Sequence, residues 1–321
     1  MARTTRPQTS HYDYTVVSQP LQLPATTSGL YDMLLANPQL KAETILDMWE
    51  QQSQTANSTG WFATVRTDTN QVLGVHTDHY GILQNRDIDE AIQDVIQEYN
   101  DNCERDGRQG LGEARKKFIV CRDGARVYGR YDFEAYTQSV PKVGDLSLRL
   151  TSNNSFDRSC KGNVALEVLR TICANGQKTT MKDFSLTKKH TQQVNTNFIG
   201  DALRRAIEAF DAGDAFKVYG RLANKDITQE QGDNILKNLE GRGVMSTKVR
   251  EEVNLIWENP SYQEDQERNL MNLYNSVTQH LTREVEDERH EYADGINTKV
   301  LRALDKLSQG AEQSLLVAAK N

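Results

Sequence analysis

The chain has 321 residues, a formal net charge of −7 and 37% hydrophobic residues. That is enough for one large domain or two ordinary ones, with no apolar run long enough to span a bilayer and no apolar core behind Arg3 and Arg6 to make a secretory leader. The four cysteines, Cys103, Cys121, Cys160 and Cys173, have no CxxC spacing, which argues against a zinc ribbon or disulfide framework and for free thiols in a reducing cytoplasm.

Residues 1–28 are polar and contain Pro7, Pro20 and Pro24, and read as a flexible arm. Leu30, Met33 and Leu34, then Ile45, Met48 and Trp49, have helical spacing, and Pro38 divides them into two short helices. Trp61 to His76 predicts a β-hairpin turning at Asp68-Thr69-Asn70, and Tyr80 to Leu83 suggests a further short strand. Ile88, Ile92, Val95, Ile96 and Tyr99 fall on one helical face, with Asn85 or Asp87 as the cap. Asp106 to Gly112 is a glycine-rich loop.

A second hairpin is predicted from Phe118 to Phe133 around the Asp123-Gly124 turn. Leu146, Leu148 and Leu150 alternate with Ser147, Arg149 and Thr151, as in a half-buried strand with a polar face. Val164 to Ile172 fits strand or helix, and Phe184 to His190 reads as a short strand. From Phe198 onward the apolar positions follow a 3.6 period to the end of the chain. The expected fold is therefore α+β, with an antiparallel strand-rich N-terminal half, a crossing helix and an all-helical C-terminal half. The expected units are the arm 1–28, an α+β core 29–195 with a basic sheet, and a helical domain 196–321.

The net charge hides a contrast. Arg115 to Lys189 holds 15 Lys and Arg against 7 Asp and Glu, whereas Arg250 to Asp294 holds 4 against 12. Such asymmetry points to a polyanion-binding surface beside a separate acidic region. Other signals are weaker. His76 and His79 offer two imidazoles but no third ligand at a zinc spacing. Asp106 to Gly112 lacks the Gly-Lys-Ser/Thr of a phosphate loop, and Gly241-Arg242-Gly243 reads as a helix–helix turn. Cys160 lies between Arg158 and Lys161 but is most simply an unreactive thiol. No GxSxG nucleophile elbow is present.

The basic segment supplies what a single-stranded nucleic acid requires, cations for phosphates and rings for bases. Arg126, Arg130, Arg149, Arg158, Lys161, Lys188 and Lys189 are the expected phosphate contacts, with Tyr128 and Phe156 as stacking rings. Arg126, Tyr128 and Arg130 share one face at period 2. The competing reading pairs these cations with acids on the C-terminal helices, within one chain or between subunits.

Val65 to Val75 and Asp78 to Asn85 resemble the N-terminal signature of the phage/plasmid-like protein family, whose domain has no known function. Leu150 to Ser155, Leu169 to Gly176, Lys189-His190-Thr191 and Asn272 to Thr278 resemble its later blocks, so the likeness spans roughly residues 61–305. Asn154 and Gly176 depart from the pattern, standing where an Asp-Gly pair and a threonine are usual. The resemblance implies a phage, prophage or plasmid origin and DNA handling in the host cytoplasm. It also suggests an analogy with single-strand annealing proteins of the RecT, Redβ and Erf class, which have a curved sheet, a helix across it and DNA in a basic groove.

The leading expectation is thus a single-stranded DNA-binding and annealing protein of a mobile element, not an enzyme, needing neither nucleotide nor metal. It is expected to be a homo-oligomer without a membrane partner, its acidic C-terminal helices serving self-assembly or a host protein. The rivals are a structural or anti-defence protein assembling through opposite charges, and an enzyme with a dispersed active site.

Overall fold

The computed structural model describes residues 12–21, 27–36, 45, 61–170, 175–178, 185–191, 194–283 and 290–318. The helix expected around Met48 and Trp49 lies outside them. Two antiparallel sheets dominate the first half. The smaller has the order β1-β2-β3, from Val16–Pro20, Trp61–Arg66 and Val72–Thr77. The larger runs β4-β5-β6-β7-β8, from Arg115–Cys121, Arg126–Val140, Gly144–Ser155, Gly162–Arg170 and Asn175–Lys178. A sixth strand, β9 (Ser185–Lys188), pairs with the other end of β7. Both expected hairpins are present, and the segment that fitted strand or helix is the central strand β7. Tyr80 to Leu83 forms no strand; the chain turns there and enters a helix.

The helices are α1 (Thr27–Ala36) and α2 (Asn85–Arg105), then α3 (Asn197–Asp211), α4 (Lys217–Ala223), α5 (Gln229–Gly241), α6 (Thr247–Glu258), α7 (Leu270–Arg283) and α8 (His290–Ser308). The α+β class therefore holds, with strands mostly in the first half and helices mostly in the second. Among the described residues, no helix is long and apolar enough to cross a membrane.

Alternation explains how the large sheet is used. Tyr131 and Phe133 on β5, Leu146, Leu148 and Leu150 on β6, and Val164, Leu166 and Val168 on β7 project to one side. They form one core with Ile88, Ile92, Val95 and Ile96 of α2 and with Phe198, Ile199, Leu203 and Ile207 of α3. Each such side chain contributes roughly 1.5–3 kcal/mol when taken from water, so this face fixes both helices on the sheet. The same core continues through Tyr219, Trp257, Tyr274 and Leu304 of the later helices.

The N-terminal segment is not a free arm over residues 12–20. β1 is an integral strand, and Tyr12 stacks on Phe118 with ring centroids 3.5 Å apart while its hydroxyl donates to Asp89 at 2.7 Å. The start of α2 joins this anchorage and is not capped by Asn85 or Asp87. Gln84 precedes it and pairs with both backbone groups of Val16, at 2.7 and 3.1 Å. The Asn85 amide donates to the Tyr12 carbonyl at 3.0 Å.

Two glycines seat the small sheet on the end of the large one. A Cβ on Gly74 would stand 2.6 Å from the Phe156 carbonyl, and one on Gly81 would stand 2.0 Å from that of Thr191. Only a residue without a side chain permits either approach. Phe156 is thereby enclosed with Tyr14, Leu73 and Val127.

Candidate nucleic-acid interface

The second face of the large sheet is polar, and strand register sets its residues in rows, because directly opposed residues share a face. One row reads Ile119, Tyr128, Asn153, Asn163 and Thr187 across β4, β5, β6, β7 and β9. The next reads Lys117, Arg130, Thr151 and Ala165, and the one after it Arg115, Asp132, Arg149 and Glu167, with Lys178 at the following register position. On the other side of the first row lie Cys121, Arg126 and Ser155.

These rows have opposite fates. Asp132, Arg149 and Glu167 are buried. Arg149 Nε and Nη2 donate to the two Asp132 oxygens at 2.5 and 2.9 Å, and Arg115 reaches Asp132 at 3.2 Å. Arg149 is therefore a structural ion-pair partner and not a phosphate contact, which corrects the expectation from its place on a half-exposed strand. The row through Tyr128, apart from the buried Ile119 at its β4 end, and the row through Arg130 stay open. Tyr128, Arg130, Thr151, Asn153, Asn163 and Ala165 are half-buried, and Lys117 and Thr187 are exposed.

Phe156 is the second correction. It is 1% exposed in the apolar cluster beneath the small sheet, 6.0 Å from the Tyr14 ring, so it cannot stack on a base. Arg126 is also largely covered, its Nε donating to Ser159 Oγ at 3.1 Å and its Nη1 to the Tyr128 hydroxyl at 3.0 Å. Arg126, Tyr128 and Arg130 do share one face, as their period-2 spacing predicts.

Three of the other four expected cations converge. Lys161 immediately precedes Gly162 and Lys189 follows Lys188. Lys188 itself is opposite Gly162, on the side of the sheet that faces Leu83 and Phe198, which corrects its expected place beside the others. Arg158 lies in the loop from β6 to β7. Its charge reaches His76 and Tyr80, and the Tyr80 ring lies 5.1 Å from His190, next to Lys189. All four are exposed and make no ion pair among the described residues. Arg158, Lys161 and Lys189 form a cationic corner where the open rows end at β9.

Under the corner is a file of rings. His76 lies 6.0 Å from Phe62 and 4.7 Å from Tyr80, which continues to His190. Burial holds the pKa of both imidazoles below the usual histidine value, with the Arg158 charge adding to the effect at His76. His76 Nδ1 lies 2.7 Å from the Thr77 carbonyl and its Nε2 3.3 Å from Ser18 Oγ, whereas His79 is exposed beside Asp78. The two histidines do not converge on a common point. Among the described residues, no group of three His, Cys, Asp or Glu side chains is arranged to hold a metal ion.

Most of the paired cations of the basic segment find acids close by, on the sheet or on α2. Arg115 binds Asp132 and Glu134, Lys116 binds Asp89, and Arg122 binds Asp157. Arg170 instead crosses to the helical half. Its Nη1 donates to both Asp265 oxygens at 2.7 and 2.9 Å, and Asn275 supports Asp265 at 2.8 Å. Sequence reasoning missed Lys117, Asn153, Asn163 and Thr187. Lys117 was visible in the Arg115-Lys116-Lys117 run, but the other three become a site only through register.

No curated protein and no solved structure matches the chain. The profile of a family described as "Domain of unknown function (DUF932)" matches residues 72–306, from β3 to α8. That span takes in the open polar rows, the cationic corner and most of the helical half, and the chain belongs to the DUF932 family.

Proposed function

We propose that the protein binds single-stranded DNA on the open polar face of the large sheet and the cationic corner beside it. One observation carries this reading. Arg158, Lys161 and Lys189, from the β6–β7 loop and the end of β9, come together exposed and without carboxylate partners among the described residues. Gathering like charges is unfavourable unless a polyanion joins them, and releasing that polyanion's counterions then drives binding. Tyr128 supplies a ring on the adjoining face, and Arg130 and Lys117 extend the positive charge along it.

The setting we propose is the host-cell cytoplasm, on a phage or plasmid genome, as the sequence resemblance implies. Annealing and recombination are the further activities expected from that likeness, and the analogy with the RecT class rests on the antiparallel sheet with α2 laid across it. The test is a mobility-shift titration with a fluorescent oligonucleotide across salt concentrations. Binding that weakens as salt rises supports the reading; absence of binding at low salt overturns it. Native mass with and without the oligonucleotide separates it from assembly through opposite charges.

A further inference from the structure

Resting on that reading, we infer that the DNA strand lies along the row Tyr128–Asn153–Asn163–Thr187 with its bases turned toward the protein, so that the site covers their pairing edges. The row crosses four strands at right angles to their direction. Three interstrand spacings of about 4.8 Å give it a length of roughly 14 Å. None of its side chains is charged. It offers a phenol, two amides and a hydroxyl, with Thr187 Oγ1 3.2 Å from Asn163 Oδ1, and ends at the buried Ile119 of β4.

The cations lie to the sides. Two residues along each strand, about 7 Å away, are Arg130 and Lys117 on one side, and on the other, where Arg126 is buried, Lys161 and Lys189 at the β9 end. Neither flanking row contains a carboxylate among the described side chains; the acids begin in the closed row of Asp132 and Glu167. A phosphate seated on the row itself would lose water without gaining a counter-charge, which is costly. A base carries no net charge. Its donors and acceptors match amide and hydroxyl groups, and its face suits Tyr128. Bases on the row place their phosphates toward the flanking guanidinium and ammonium groups. At about 3.4 Å per stacked nucleotide, the row accommodates roughly four nucleotides.

A strand held this way is sheltered, and a complementary strand pairs with it only after it leaves the row. The protein is then a protective binder, and annealing follows release.

The experiment uses the full chain with a mixed-sequence oligonucleotide and an abasic strand of equal length. Dimethyl sulfate methylates adenine N1 and cytosine N3, both on the pairing edge. The expected result is protection of about four consecutive nucleotides and at least about tenfold weaker binding of the abasic strand. Tyr128→Ala with Asn163→Ala should bring the two affinities together and leave the salt dependence and the melting temperature unchanged. Equal affinity for both strands, with full methylation of the bound oligonucleotide, overturns the inference and leaves DNA binding intact. Failure to bind either strand overturns the underlying reading itself.

Discussion

The closed row at Arg149 and the open corner at Lys189 belong to the same basic segment, yet they use their charges in opposite ways. In the row, Arg115, Asp132, Arg149 and Glu167 alternate in sign across four neighbouring strands, and Arg149 is buried against Asp132. In the corner, Arg158, Lys161 and Lys189 share one sign and face water. A surplus of basic residues in a sequence thus contains two populations. One neutralises acids of the fold, and only the other is available to a partner.

Breaking the buried pairs should have the largest effect. Arg170→Ala leaves Asp265 buried without its cation, with an expected loss of about 3–5 kcal/mol in chemical denaturation, and Arg149→Ala, which leaves Asp132 only the exposed Arg115, should lose somewhat less. Phe156→Ala should cost a similar ~3–5 kcal/mol, since it empties a closed apolar site. Loss of DNA binding without loss of stability in any of the three would show that these residues face a ligand after all.

The corner should give the converse result. Arg158→Ala, Lys161→Ala and Lys189→Ala combined should leave the melting temperature unchanged, because exposed charges contribute little to folding. The same variant should weaken single-stranded DNA binding by at least tenfold at low salt, about 1.4 kcal/mol.

The smallest effect concerns pH and the rings under the corner. Burial depresses the pKa values of His76 and His190. The unfolded chain, with imidazoles near pKa 6.5, takes up protons that the folded state refuses. Stability should therefore be full above about pH 6.5 and decline as the pH falls toward the folded-state values. Urea midpoints at about pH 7.5 and 5.5 check this, and His76→Gln with His190→Gln should flatten the difference.

The comparison also shows what a sequence can reveal. Leu146, Leu148 and Leu150 correctly mark an apolar face, and the helical period after Phe198 marks the second half. The same alternation misplaced Arg149, because it says which side a residue takes but not whether a charge of opposite sign stands across the ladder. Phe156 misled for a related reason. Its neighbours in sequence are polar, but the pocket it fills is built by Tyr14, Leu73 and Val127 from distant positions. Tyr12, Tyr14 and β1 were hidden in a polar stretch whose anchors, Gln84, Asn85 and Asp89, lie some seventy residues away. The corner lysines were legible because they sit at strand ends and in a polar loop, where local sequence does decide exposure. Asn153, Asn163 and Thr187 were not, since a neutral row has no compositional signature.

The most direct test compares the salt dependence of single-stranded DNA affinity in the wild-type protein and the Arg158→Ala, Lys161→Ala, Lys189→Ala variant. Each phosphate that the variant no longer neutralises should reduce the magnitude of the log–log slope by about 0.7, so the variant's slope should be shallower by roughly 2. Identical slopes and affinities would show that the cationic corner does not meet the strand, and would contradict the assignment of this face to DNA.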